Sequence, residues 1–245
     1  MSILNQLSSL TTEQLTDFLE KTDEALQKGA IAAIHEEIRQ RCAREGLYWL
    51  KFVKTRDEAD PENTVKSFPL FLEYVVEIWR TLDESNRVIV AKSRQMMMSW
   101  IACAFCVWWA RFKPNQAVFF QSQKDDDANA MVALPGMALG RCQFIEVNLP
   151  DFLRLPCKFS EGKVVYPNGS FIQALAGGAD QIRGRVFSLL VEDEFAYQEE
   201  QRGVYTAVAP LIQKGARILI ISTPNGTDNE YARLWFGEDM STRRE

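Results

Sequence analysis

The sequence predicts an α/β domain: a central, mainly parallel sheet flanked by helices, behind an N-terminal helical extension. Three observations predict it. Apolar runs of strand length recur at 87–91, 117–122, 186–191 and 216–221. A helical apolar run follows the first (Trp100 to Trp109), and acid-capped Ser122-Gln123-Lys124-Asp125-Asp126-Asp127 opens a helix after the second. This alternation implies right-handed crossovers between parallel strands. Finally, the first, third and fourth runs end in polar or charged residues, at the strand ends where open α/β sheets bind ligands.

Bulk composition narrows the function. The 245 residues suit one large domain with a small extension, and no domain boundary is visible after residue 60. The expected division is a helical extension over 1–46 and an α/β domain over 47–245. The net charge of −5 gives no global basic field, so any polyanion contact must come from a local patch. No apolar stretch is long enough to span a bilayer and no signal peptide opens the chain, so a cytoplasmic protein without a membrane partner is expected. The single histidine, His35, removes Ser–His–Asp, Cys–His and His-rich metal catalysis. Cys103 and Cys106 form a C-x-x-C inside an apolar helical run with no second such pair, which reads as two buried small hydrophobes.

In chain order, residues 1–46 read as two helices, the first capped at Thr11 or Thr12 and the second running from Leu26 to Arg44. Residues 54–66 read as a polar loop. A helix through Trp79 and Arg80 follows, with a turn at Asp83-Glu84-Ser85-Asn86. Pro167-Asn168-Gly169 marks a hairpin between 163–166 and 170–175. A flexible basic loop is expected over 176–185.

Strand, cationic turn and apolar helix over 87–109 form the layout of a phosphate-binding loop, with helix N–H groups and the positive dipole end aimed at the turn. The usual G-x-x-x-x-G-K-[ST] string is absent. Backbone N–H groups do most of the cradling, so side chains can vary. Lys92, first after the strand, has the reach to neutralise phosphate charge, and Arg94 adds a second cation. Ser93, Gln95, Met96, Met97 and Met98 supply the cradle, and Ser99 is positioned as a hydroxyl ligand for Mg²⁺. Met97, if held left-handed where glycine is usual, costs about 1–2 kcal/mol. The three methionine side chains read as packing groups.

The strand 187–191 runs into Glu192-Asp193-Glu194. Asp193 is the candidate for the metal shell and Glu194 for orienting and deprotonating the attacking water. Ser222-Thr223-Pro224, at the end of the last strand, is a candidate sensor of the terminal phosphate. Each element alone also reads as ordinary turn or capping chemistry; in this order they form one nucleotide-binding unit.

Ser93-Arg94-Gln95-Met96-Met97-Met98-Ser99, Leu190-Val191-Glu192-Asp193-Glu194-Phe195-Ala196 and Ile221-Ser222-Thr223-Pro224 together resemble the ATPase domain of the large terminase subunit of tailed phages. The loop departs from the family's S-R-Q-x-G-K-[ST] at Met97 and Met98, and Lys92-Ser93 matches a deviant form with the lysine moved forward. Arg183-Gly184 is similar to a recurrent feature upstream of the acidic strand. The resemblance covers residues 47–238. It implies a P-loop NTPase fold of the ASCE type and ATP hydrolysis coupled to translocation of double-stranded DNA into a procapsid. It also implies a ring, commonly a pentamer, on the portal protein, with the small terminase subunit as a partner and the host cytoplasm as location. The family's C-terminal nuclease is expected to be absent from this chain. Candidate trans arginines are Arg141, Arg183 and Arg185; Arg94 is the candidate in cis. Phe68, Pro69 and Phe71 are candidates for stacking on adenine. A helicase-like or repair ATPase, and a non-hydrolysing nucleotide-binding module, remain the alternatives.

Overall fold

The structure, a computed structural model, describes residues 12–57, 60, 62–93, 96–237 and 243–244, with the backbone alone for 12–25, 243 and 244. These residues fall into two compact units, one ending at Arg44 and the other beginning at Glu45.

In the first unit the described residues form one helix, α1 (Thr12–Arg44), where the sequence suggests two. No proline interrupts it, and the one interior glycine, Gly29, costs only about 1 kcal/mol in a helix. Contacts one turn apart support the exposed face: Glu36 accepts from Arg39 at 2.8 Å and from Gln40 at 3.0 Å. Thr11, the alternative cap, lies outside the described residues.

The second unit opens with α2 (Gly46–Trp49) and an antiparallel pair, β1 (Lys54–Arg56) and β2 (Val65–Ser67), joined in register at Thr55 and Lys66. This pair replaces part of the loop expected over 54–66. Its strands are short and mostly polar or charged, with only Thr55 buried, so no apolar alternation announces them. Next, α3 (Glu73–Glu84) takes Asp83 and Glu84 into the helix rather than the turn. The chain continues through β3 (Arg87–Ala91), α4 (Met98–Phe112), β4 (Ala117–Ser122), α5 (Asp125–Val132) and α6 (Arg141–Val147). β5 (Lys158–Ser160), β6 (Lys163–Val165) and β7 (Phe171–Ala176) follow, then the short α7 (Ala179–Ile182) inside the stretch expected as loop. β8 (Leu189–Asp193), α8 (Gln201–Gln213), β9 (Arg217–Ser222), α9 (Glu230–Phe236) and β10 (Arg243–Arg244) complete it.

Eight strands make one sheet in the order β10-β3-β9-β8-β4-β7-β6-β5. From β10 to β7 the neighbours are parallel; β6 and β5 add an antiparallel edge through the Asn-Gly hairpin. β9 lies between the loop strand β3 and the acidic strand β8. All three therefore deliver their last residues to the same sheet edge, where open α/β sheets bind ligands.

Side-chain alternation gives the sheet two apolar faces. Ile89, Phe119, Leu190, Ile218 and Ile220 pack with Val204, Val208 and Ile212 of α8 and Leu234 of α9. On α4 every residue except Ser99 and Phe112 is buried, so this helix is core around its whole circumference. Trp79 of α3 meets Phe105 edge-on at 5.3 Å and Trp108 at 5.9 Å. Cys103 and Cys106 are fully buried here, and burial pushes the Cys106 thiol well up, so the C-x-x-C is packing. Among the described residues no group of three His, Cys, Asp or Glu gathers to hold a metal. The C-terminal carbonyls of α4 find a donor in the hairpin: Asn168 Nδ2 reaches Ala110 O at 2.9 Å and Arg111 O at 3.1 Å. None of the described helices is long and apolar enough to cross a membrane.

Candidate active site

The site is built at the carboxyl edge of β3, β9 and β8. Register pairs Ala91 with Ser222, and the Lys92 N–H continues the ladder to Ser222 O at 3.0 Å. That bond fixes where the Lys92 side chain leaves the sheet. Beyond Ser93, residues Arg94 and Gln95 lie outside the described residues, so the cis arginine and that part of the cradle have no position here. The chain re-emerges at Met96, whose carbonyl lies 3.5 Å from the Tyr74 hydroxyl.

Met97 stands immediately before α4 with φ 54° and ψ 12°, the left-handed conformation. This is the backbone state that favours glycine, and an L side chain there costs about 1–2 kcal/mol. The burial of Met98 and the helix behind it holds the turn: Ile101 N–H closes onto Met97 O at 3.0 Å.

At the end of β8, Asp193 and Glu194 turn toward this loop. Glu194 is also left-handed, with φ 49° and ψ 43°. The reversal lets both adjacent carboxylates face Lys92. Lys92 Nζ lies 2.9 Å from Glu194 Oε1 and 3.5 Å from Asp193 Oδ1. Ser99 Oγ lies 3.5 Å from Asp193 Oδ2, the outer limit of a hydrogen bond. Asp193 is nearly buried, and that burial raises its carboxyl above the ordinary range while the Lys92 ammonium pulls it back. Glu194 is the more open of the two, with a side-chain exposure of 36% against 5%.

Thr223 completes the cluster. Its N–H and its hydroxyl both donate to Glu194 Oε2, at 3.3 and 3.2 Å. Ser222 does something else: its buried hydroxyl accepts from Ala196 N–H at 3.0 Å and donates to Thr223 O at 2.9 Å, tying the turn after Glu194 to β9. Pro224 is exposed.

Beside the loop lies a cavity of about 480 Å³, walled by Arg56, Pro69, Phe71, Met97 and Trp100 among others. Of the expected stacking residues, Pro69 and Phe71 line it, whereas Phe68 is buried and does not. Phe68 N–H bonds to Val53 O at 3.2 Å, which takes the residue inward. Arg141 sits close by, its guanidinium 5.4 Å over the Trp100 ring and Nη1 2.9 Å from Met131 Sδ. Arg183 is exposed and paired with Asp180 at 2.7 Å. Arg185 Nε donates to Gln181 O at 2.6 Å, and its guanidinium covers the Phe119 ring at 5.4 Å. No described contact joins these three arginines to the Lys92–Glu194 cluster.

The structure also brings in residues that the sequence reading passes over. Trp100 enters the cavity from the first turn of α4, and Arg56 from the unannounced β1. Gln198 and Gln201 bind the backbone around the acids, and Tyr231 binds the neighbouring strand ends. Only a long-range view finds them: Tyr231 follows the Asn229 cap of α9, which signals a helix start and nothing about a site.

A search of protein-family models finds no match to this chain. Among curated proteins, a probable terminase large subunit of Escherichia phage Mu is 30% identical over 196 residues, which is 75% of this chain and 34% of that protein. The chain thus spans about a third of the length of that relative. Among solved structures, the HK97 bacteriophage large terminase is similar with a TM-score of 0.53 and 10% identity, over 74% of this chain and 37% of that one. A large terminase of a thermophilic bacteriophage, solved with ADP, is similar with a TM-score of 0.50 and 12% identity, over 65% and 40%. At these identities the structural likeness speaks for the fold.

Proposed function

We propose that this chain, which is 30% identical over 196 residues to a probable terminase large subunit, belongs with the large terminase subunits of tailed phages through their ATPase portion, hydrolyses ATP and uses the energy to drive double-stranded DNA into a procapsid. The observation that carries the chemistry is the convergence of Lys92 and Thr223 on the two oxygens of Glu194, beside Asp193. A carboxylate so held can orient a water and take its proton as the water attacks the terminal phosphorus. Lys92 contributes the ammonium that stabilises charge on the phosphate oxygens, and the backbone from Ser93 to Ser99 supplies N–H donors. The similar thermophilic-phage terminase was solved with ADP, which supports nucleotide binding by a chain of this fold.

Mg²⁺ fits the donor set. Ser99 Oγ and Asp193 Oδ2 approach each other beside the loop, a hydroxyl and a nearly buried carboxylate, both hard oxygen ligands. When bound, the ion neutralises charge on the β- and γ-phosphate oxygens. Thr223 bridges the water-handling carboxylate to β9 and is the coupling residue in this reading. Pro69, Phe71 and Trp100 form the apolar wall for the base. Arg141, Arg183 and Arg185 are candidates to act on a neighbouring subunit's nucleotide, in a ring assembled on the portal protein with the small terminase subunit and DNA, in the host cytoplasm.

The test is phosphate release from ATP by the 245-residue chain, with and without double-stranded DNA, over a range of protein concentrations. The reading predicts turnover that rises with concentration or DNA. Absence of turnover at every concentration, with and without DNA, contradicts it.

A further inference from the structure

Tyr231 of α9 is almost fully buried, yet it is polar and lies directly beneath the site. Its hydroxyl is within hydrogen-bond distance of two backbone carbonyls, Val90 O at 3.1 Å and Ser222 O at 3.3 Å. Ser222 O is the same atom that accepts the Lys92 N–H. One hydroxyl thus spans the last turns of the two strands from which Lys92 and Thr223 emerge. The backbone of Tyr231 is fixed as well: its N–H donates to Gln201 Oε1 at 3.0 Å. Gln201 Nε2 in turn donates to Ala196 O at 3.1 Å and Gln198 O at 2.9 Å, in the turn that follows Glu194. Asn225, just past the polar strand end, also donates to Ala196 O, at 3.2 Å.

We propose that Tyr231 is a positioning residue for the reaction: through the Val90 and Ser222 carbonyls it sets the spacing of Lys92 and Thr223, and through Gln201 it sets the turn of Glu194. The inference rests on the ATPase reading above. Burial, with the nearby Glu194 carboxylate, pushes the Tyr231 phenol up, so it stays a donor at every working pH. A donor shared between two strands resists their sliding apart, and alignment of this kind is expressed in the turnover step rather than in ground-state binding.

Tyr231→Phe removes the hydroxyl and keeps the ring. The expected result is a kcat lowered about tenfold with KM within about twofold and a melting temperature within a few degrees of wild type. An unchanged kcat overturns the proposal. So does a lower melting temperature with unchanged turnover per folded molecule, the signature of a merely structural tyrosine. If the wild type itself does not turn over, the ATPase reading has failed. The positioning claim is then read from hydrogen exchange on the folded proteins. Faster exchange of the Lys92 amide in Tyr231→Phe supports it, and equal exchange overturns it.

Discussion

The Lys92 ammonium lies 2.9 Å from the Glu194 carboxylate, and these two residues come from strands that do not touch each other, with β9 between them. The lysine is therefore held by the acid pair on one side and by its own N–H bond to Ser222 on the other. A loop lacking the usual glycine and late lysine keeps a cation at the carboxyl edge of the sheet through its first residue.

Thr223 is the residue that makes Glu194 directional. Thr223→Val removes the hydroxyl and leaves the N–H donor. Loss of one hydrogen bond to a charged group corresponds to about 1.5–3 kcal/mol, so kcat should fall by about tenfold to a hundredfold. Steady-state phosphate release is the measurement, and ATP affinity should stay within a few-fold.

Met97 pays a conformational penalty at φ 54°. Met97→Gly should relieve it and raise stability by up to about 1 kcal/mol, the strain relieved being partly offset by the greater freedom of an unfolded glycine. Urea denaturation checks this. Because Met97 also lines the cavity beside Trp100, weaker nucleotide binding should accompany the gain.

Glu192, on the opposite face of β8 from Asp193, is fully buried, and burial raises its carboxyl to about 8. Gln198 Nε2 satisfies one oxygen at 3.0 Å; the other finds no partner among the described residues. The folded state holds a proton that the unfolded chain, titrating near 4.5, has released. Stability is therefore undiminished below pH 4.5 and declines as pH rises toward 8, since unfolding releases a proton across that window. Glu192→Gln should flatten that decline and be more stable than wild type at pH 8 and above. Denaturation midpoints at several pH values test the sign.

Much of this was legible in the sequence where the signal is local. Val88 to Val90, Leu189 to Val191 and Ile218 to Ile221 are buried strands because they are apolar runs too short for helices, and the polar or charged residues following them mark the edge where the candidate site forms. Lys92, Asp193, Glu194 and Thr223 meet because parallel strands in this order must end together. The β1–β2 pair was not legible, since strands of three residues, half of them charged, are too short to show an alternation. Phe68 turns inward and Trp100 lines the cavity because which aromatic faces a cavity depends on tertiary contacts, here the Phe68 bond to Val53. Tyr231 and Gln201 act through backbone carbonyls distant in sequence, and a carbonyl carries no residue signature.

The most direct test of the central claim, that Lys92 does the work of the phosphate-loop lysine, is phosphate release by Lys92→Ala at saturating ATP beside the wild type. Removing one preorganised charge from the transition state should lower kcat by about a hundredfold or more, with the folded state retained by circular dichroism. Turnover within twofold of wild type would contradict the account.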